Sequence, residues 1–145
     1  MATFSEHADV ATSIDQTFDY VTDQGKVADW NDHVRSVEVI GDGEVGVGSR
    51  LVQHRRRGDR DFDLTFTVIA HEPPHRHIVT GQVFGVDTTM AFTFDEHESG
   101  TRVTMTASVT GRGVRRLLAP AVAREMHKST VSALANLAAG LGRAG

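Results

Sequence analysis

From Val34 to Thr110 apolar and polar residues alternate with a period of two, and after Gly113 the period changes to about 3.6. That switch constrains the fold more than any other feature. A run of 77 residues that alternates almost throughout, broken only at closely spaced turn-forming positions, favours antiparallel strands joined by hairpins into a sheet with one apolar face. The breaks fall at Gly41-Asp42-Gly43, Gly58-Asp59, Pro73-Pro74, Gly85 and Ser99-Gly100, which divide the run into strands near 34–40, 47–57, 60–70, 76–84, 87–95 and 101–110. Residues 3–10 supply a seventh strand. Ser13-Ile14-Asp15-Gln16 has the form of a capping box and opens a short helix to about Val21. A second short helix fits 26–30. The final segment carries a stripe at 118, 122, 126, 130, 133, 134, 137 and 141, with Pro120 in its first turn and Gly140 and Gly142 at its end. The expectation is an α+β domain spanning 1–145, in which a curved seven-stranded sheet buries its apolar face under one long C-terminal helix.

Composition narrows the function classes. The formal net charge is −4, which disfavours a general nucleic-acid or anionic-membrane role. The chain has no cysteine, which excludes disulfides and thiol chemistry. No apolar stretch approaches the roughly 20 residues of a membrane span. The N-terminus lacks the basic and apolar regions of a signal peptide, so a cytoplasmic location is expected.

The arginine-rich stretch RLVQHRRRGDRDFDLTF at 50–66 is explained by pairing. A two-residue turn at Gly58-Asp59 sets Arg56 opposite Asp61, His54 opposite Asp63 and Val52 opposite Thr65. The other face then pairs Arg55 with Phe62, Gln53 with Leu64 and Leu51 with Phe66. Most of the basic run is a wetted hairpin with acidic partners. Arg55 and Gln53 share the apolar face, where they are polar handles of a pocket, although Arg55 near the hairpin end could equally reach water. For the last hairpin, a turn at 95–100 pairs Phe94 with Thr101, Phe92 with Val103 and Met90 with Met105. The alternation at 76–84 admits two registers, one with Ile78, Thr80, Gln82 and Phe84 inward and one with His77, Val79 and Val83 inward.

The candidate pocket residues are Trp30, Leu51, Gln53, Arg55, Phe62, Phe66, Thr80, Met90, Phe92, Met105, Val122 and Met126. Mostly apolar with a few polar groups, they have the make-up of a small-molecule site. Asp32, His33 and Glu125 are the acid–base candidates by position. His71, His75 and His77 form H-x3-H-x-H around Pro73-Pro74 without a completing carboxylate, and read as a surface hairpin, with no metal or cofactor expected. Gly41–Gly48 lacks a phosphate-loop signature and reads as a flexible lid. No nucleophile elbow occurs.

Several segments resemble one known group: VATSIDQTFDYVTDQGKVADWN at 10–31, GEVGVGSRL at 43–51, VIAHEPPHRHIV at 68–79, FTFDEHESGTRVTM at 92–105 and LLAPAVAREMHKSTVSALANL at 117–137. In this order they are similar to the START-like, helix-grip superfamily called SRPBCC, and within it to the polyketide cyclase/dehydrase and lipid-transport-like family. The resemblance implies a seven-stranded sheet gripping the C-terminal helix around a cavity. It implies a hydrophobic small-molecule ligand such as a lipid or polyketide. It carries no catalytic motif onto this chain. Three readings follow: a binder, a cyclase/aromatase-like enzyme, and a co-chaperone-like interaction module. A monomer and a homodimer are both compatible with the sequence.

Overall fold

In a computed structural model, residues 1–41 and 44–142 are described. Strand β1 (Ala2–Val10) leads into α1 (Ile14–Thr22), a 3₁₀ turn at Gln24–Lys26 and α2 (Val27–Trp30). Strands β2 (Val34–Ile40), β3 (Arg50–Arg57), β4 (Arg60–Glu72), β5 (Arg76–Val83), β6 (Val86–His97) and β7 (Gly100–Thr110) follow. A 3₁₀ segment at Gly113–Leu117 precedes the long helix α3 (Ala119–Leu141), with Pro120 in its first turn. The seven strands form one antiparallel sheet in the order β1-β7-β6-β5-β4-β3-β2. This is the sheet-and-helix order expected from the change of period, in the helix-grip arrangement that the family resemblance implies.

Local chemistry sets the helix starts. Ser13 Oγ accepts the Gln16 N–H at 3.3 Å, half of the capping box. Ser13→Ala should therefore cost about 1 kcal/mol of stability, read as a shift of the denaturant midpoint at constant slope.

The β3–β4 hairpin has the expected register, including Arg56↔Asp61, His54↔Asp63, Arg55↔Phe62 and Leu51↔Phe66. The last hairpin differs. Phe94 pairs with Val103, Phe92 with Met105 and Met90 with Ala107, and the turn is the two residues between His97 and Gly100. Asp95 and Glu96 continue the strand because Asp95 lies opposite Arg102, and Glu98 takes the positive φ of 55° that the tight turn needs. The slip is two residues, so every side chain keeps its face.

Strand β5 adopts the register with His77, Val79 and Val83 inward; these are buried, whereas Thr80 is only partly so. Thr80 therefore sits on the opposite face, where its hydroxyl bonds the Thr88 carbonyl at 3.1 Å and the Thr89 hydroxyl at 3.3 Å. Gly81 helps fix this choice. A β-carbon there would run into the Thr65 carbonyl and the Phe66 ring, so only glycine lets β5 approach β4 at that point.

Two apolar clusters fill the grip unevenly. Phe18, Val21, Trp30, Phe94, Val103, Leu134 and Leu137 close the space between α1, α2, α3 and the sheet. Leu51, Leu64, Phe66, Val68, Val79 and Val83 line the sheet farther along. Between them lies a cavity.

Candidate functional site

The cavity has a volume of about 170 Å³. Its sheet wall follows from strand parity. Leu51, Gln53 and Arg55 come from β3, Phe62, Leu64 and Phe66 from β4, and His77, Val79 and Val83 from β5. Met90, Phe92 and Met105 complete that wall. The opposite wall comes from Val21, Gln24, Val27 and Trp30, and from Met126, Ser129, Thr130, Ala133 and Leu134 on one face of α3. Glu125, Arg57, His33, Asn31 and Phe84 also line it.

Of the residues singled out in the sequence, ten reach this cavity: Trp30, Leu51, Gln53, Arg55, Phe62, Phe66, Met90, Phe92, Met105 and Met126. Two do not. Thr80 faces away, as the β5 register requires. Val122 lies one turn of α3 before Met126 and packs into the aliphatic clusters of Val83 and Val86. His33 and Glu125 line the cavity and Asp32 does not; Asp32 is exposed. Of the glycine-rich Gly41–Gly48 loop, residues 42 and 43 lie outside the described residues. Gly48 N–H is bonded to the Val68 carbonyl at 2.8 Å, and none of the loop's described residues lines the cavity, so the lid expectation finds no support there.

Arg55 dominates the electrostatics. Its Nη1 donates to Gln53 Oε1 at 2.7 Å, and its buried Nε has no acceptor among the described residues. Burial lowers the guanidinium's proton affinity below its ordinary value, without making it neutral at pH 7. Among the described residues the one carboxylate on the cavity wall, Glu125, is engaged elsewhere. Its Oε2 lies 3.4 Å from Arg57 Nη2 and its Oε1 3.8 Å from Lys128 Nζ. Arg55 is thus a cation held against an apolar wall by a neutral amide. Trp30 Nε1 is a second buried donor without an acceptor among the described residues. Unpaired buried donors are rare and cost about 1–3 kcal/mol each.

The histidines correct the surface-hairpin expectation. His75 is exposed, but His77 is only 3 % exposed and lines the cavity. His77 Nδ1 lies 3.0 Å from His71 Nδ1, and the Phe18 ring packs on His71 at 5.3 Å. One imidazole donates and the other accepts, so the pair shares a single Nδ1 proton. Burial, reinforced by repulsion from His71, pushes His77 down to about 4. His77 is therefore neutral at pH 7. Among the described residues no group of three or more His, Asp or Glu is placed to hold a metal. The alternative β5 register was the signal for His77 in the sequence.

A family model described as polyketide cyclase / dehydrase and lipid transport matches residues 1–142. No curated protein matches the chain. Solved structures share the fold at low identity. The di-domain ARO/CYC BexL from the BE-7585A biosynthetic pathway superposes with a TM-score of 0.79 at 14% identity, covering 95% of this chain and 45% of that one. The chain thus spans under half of that di-domain protein. Ara h 8.0201 superposes with a TM-score of 0.75 at 11% identity over 97% of both chains. Protein Ms6760 from Mycobacterium smegmatis gives 0.70 at 20% identity over 96% of this chain and 90% of that one. With a family match over nearly its whole length and a helix-grip fold around a cavity, the chain belongs to the polyketide cyclase/dehydrase and lipid transport family of the SRPBCC superfamily.

Proposed function

We propose that the cavity binds a hydrophobic small molecule, lipid-like or polyketide-like, whose carbonyl or carboxylate oxygen is seated against Arg55 and Gln53. One observation carries this reading: a half-buried guanidinium on an apolar wall whose hydrogen-bond partner among the described residues is an uncharged amide. A charge-assisted bond in such a site is worth more than in water, which makes the oxygen group the orienting contact and the apolar wall the source of affinity. Native mass spectrometry of the purified protein, followed by extraction and identification of small molecules, tests it. A co-purifying apolar acid or ketone is the expected result. A protein that carries none, and that ignores apolar carboxylate probes such as medium-chain fatty acids, would sink the proposal.

A second reading, a polyketide cyclase/aromatase-like enzyme, is favoured by the His71–His77 pair. Ring closure by an aldol route removes a proton from the carbon between two carbonyls, forms a carbon–carbon bond to a third carbonyl, and returns the proton to the resulting alkoxide. Neutral His77 can accept that proton and give it back, and Arg55 can stabilise the oxyanion. Turnover of a poly-β-ketone thioester mimic that disappears in His77→Gln, with binding retained, would decide for the enzyme. Turnover unchanged by that substitution would remove His77 from the chemistry.

A further inference from the structure

The segment Arg112–Leu118 reads RGVRRLL and none of the residues in its 3₁₀ turn is buried. Val114 is 82 % exposed and Leu117 77 % exposed. These aliphatic side chains contribute nothing to the core, yet their display is built. Gly111 lies so close to the Arg115 carbonyl that a β-carbon there would collide with it, so the chain folds tightly back before α3. Arg115 Nη1 then reaches the Gly85 carbonyl at 3.5 Å, which sets the segment beside the β5–β6 turn. That turn holds a third exposed apolar side chain. Phe84 adopts a φ of 52°, a conformation that asparagine or glycine takes at lower cost, and it is 55 % exposed. Its ring lies 5.8 Å from Phe62, and both line the cavity.

The charge around this patch has one sign in excess. Asp87 lies 3.4 Å from Arg112, while Arg115 and Arg116 have no ion pair among the described residues. A basic patch on a chain of net charge −4 is a local feature, not an overflow of general basicity. An acidic protein would need the arginines but gives no reason for exposed valine, leucine and phenylalanine in the same patch. A bilayer interface uses both kinds of side chain together. No described helix is long and apolar enough to cross a membrane, so the contact is peripheral.

We propose that Phe84, Val114 and Leu117, flanked by Arg115 and Arg116, form a docking surface for an anionic lipid bilayer, placing the lip of the cavity against the membrane. This goes beyond the reading of the cavity as a binding site and stands on different residues. Docking there gives an apolar ligand a route between bilayer and cavity that does not cross water.

Co-sedimentation with extruded vesicles tests it, using phosphatidylcholine alone and phosphatidylcholine mixed with phosphatidylglycerol. The protein should bind the mixed vesicles preferentially, and less at high salt. Arg115→Gln and Arg116→Gln should each weaken binding about fivefold, and Leu117→Asp at least about tenfold. Ile69→Asp, at an exposed apolar position on β4, should change nothing. Arg55→Met should also leave vesicle binding intact, which separates failure of the docking surface from failure of the cavity reading. The proposal is overturned if the folded protein shows no preference for the anionic vesicles, or if Leu117→Asp and the arginine variants bind as well as the parent. It is equally overturned if Leu117→Asp abolishes self-association of a protein that ignores vesicles, because the patch would then belong to a second copy.

Discussion

Arg55→Met should make the protein more stable and a poorer binder at the same time. The guanidinium lies on an apolar wall with a neutral partner, and its buried Nε lacks an acceptor. Folding therefore strips a cation of water without giving it a counter-charge. Methionine keeps the length and packing of the side chain and removes that penalty, so the unfolding free energy should rise by about 1–2 kcal/mol. Binding should move the other way. A hydrogen bond from a charged donor contributes about 1.5–3 kcal/mol, so affinity for a medium-chain fatty acid should fall about tenfold to a hundredfold. The corresponding fatty alcohol, which lacks the anionic oxygen, should lose far less. Chemical denaturation and a fluorescence-displacement titration check both signs. A variant that is less stable and binds the acid as well as before would mean that Arg55 is a structural group, not the orienting contact of the cavity.

How far the sequence reached depends on where parity is decided. In the β3–β4 hairpin the turn is two residues with glycine first, and opposite charges fall opposite one another on one face. Turn and pattern agree there, and the register of Arg55 and Gln53 follows from both. The last hairpin departs from its expected register by two residues because Asp95 and Glu96 look like loop residues in the sequence. They are strand residues opposite Arg102 and Thr101. The inward faces were still right, since an even slip preserves them. Strand β5 is where local pattern fails. Both of its faces carry β-branched residues, and its pairing with β4 shifts between Val68 and Ala70. That irregularity breaks the simple alternation that would have carried parity over from β4. Thr80 consequently lies on the face away from the cavity, not on the apolar face that the other register assigns it. Gly81 held the missing information, because an interior strand glycine marks a close approach and so an inward position. The cavity itself could not be read from composition. Phe66, Met105 and Leu134 are ordinary core residues, and whether they meet or stand apart depends on how tightly the sheet curls around α3. The exposure of Val114 and Leu117 was equally hidden, since RRLL fits the first turn of an amphipathic helix.

The histidine pair makes stability depend on pH in a window where the arginine-paired carboxylates do not. His77 is pushed down from 6.5 to about 4, first by burial and then by His71. Above 6.5 neither the folded nor the unfolded state carries a proton on this group, so its contribution is fully present. As pH falls below 6.5 the unfolded chain takes up a proton that the folded chain refuses, and stability drops. By pH 4 the loss should amount to about 3 kcal/mol. The other shifted groups act differently. Asp9, paired with Arg102, and Glu72, paired with Arg76, are held below the ordinary carboxylate values, so they lose their contributions only at lower pH. His54, raised by Asp63 and Glu38, works in the opposite sense: its contribution appears as pH falls below its raised value. His77→Phe keeps an apolar partner for Phe92 across the β5–β6 pair and removes the titrating group. Subtracting its unfolding free energy from that of the parent, pH by pH, cancels His54 and the carboxylates. The difference should be level above pH 6.5 and fall steadily, in disfavour of the parent, towards pH 4. A flat difference across that window would show that His77 takes up its proton as readily folded as unfolded. The imidazole would then be open to water, and the neutral proton-sharing pair would not exist.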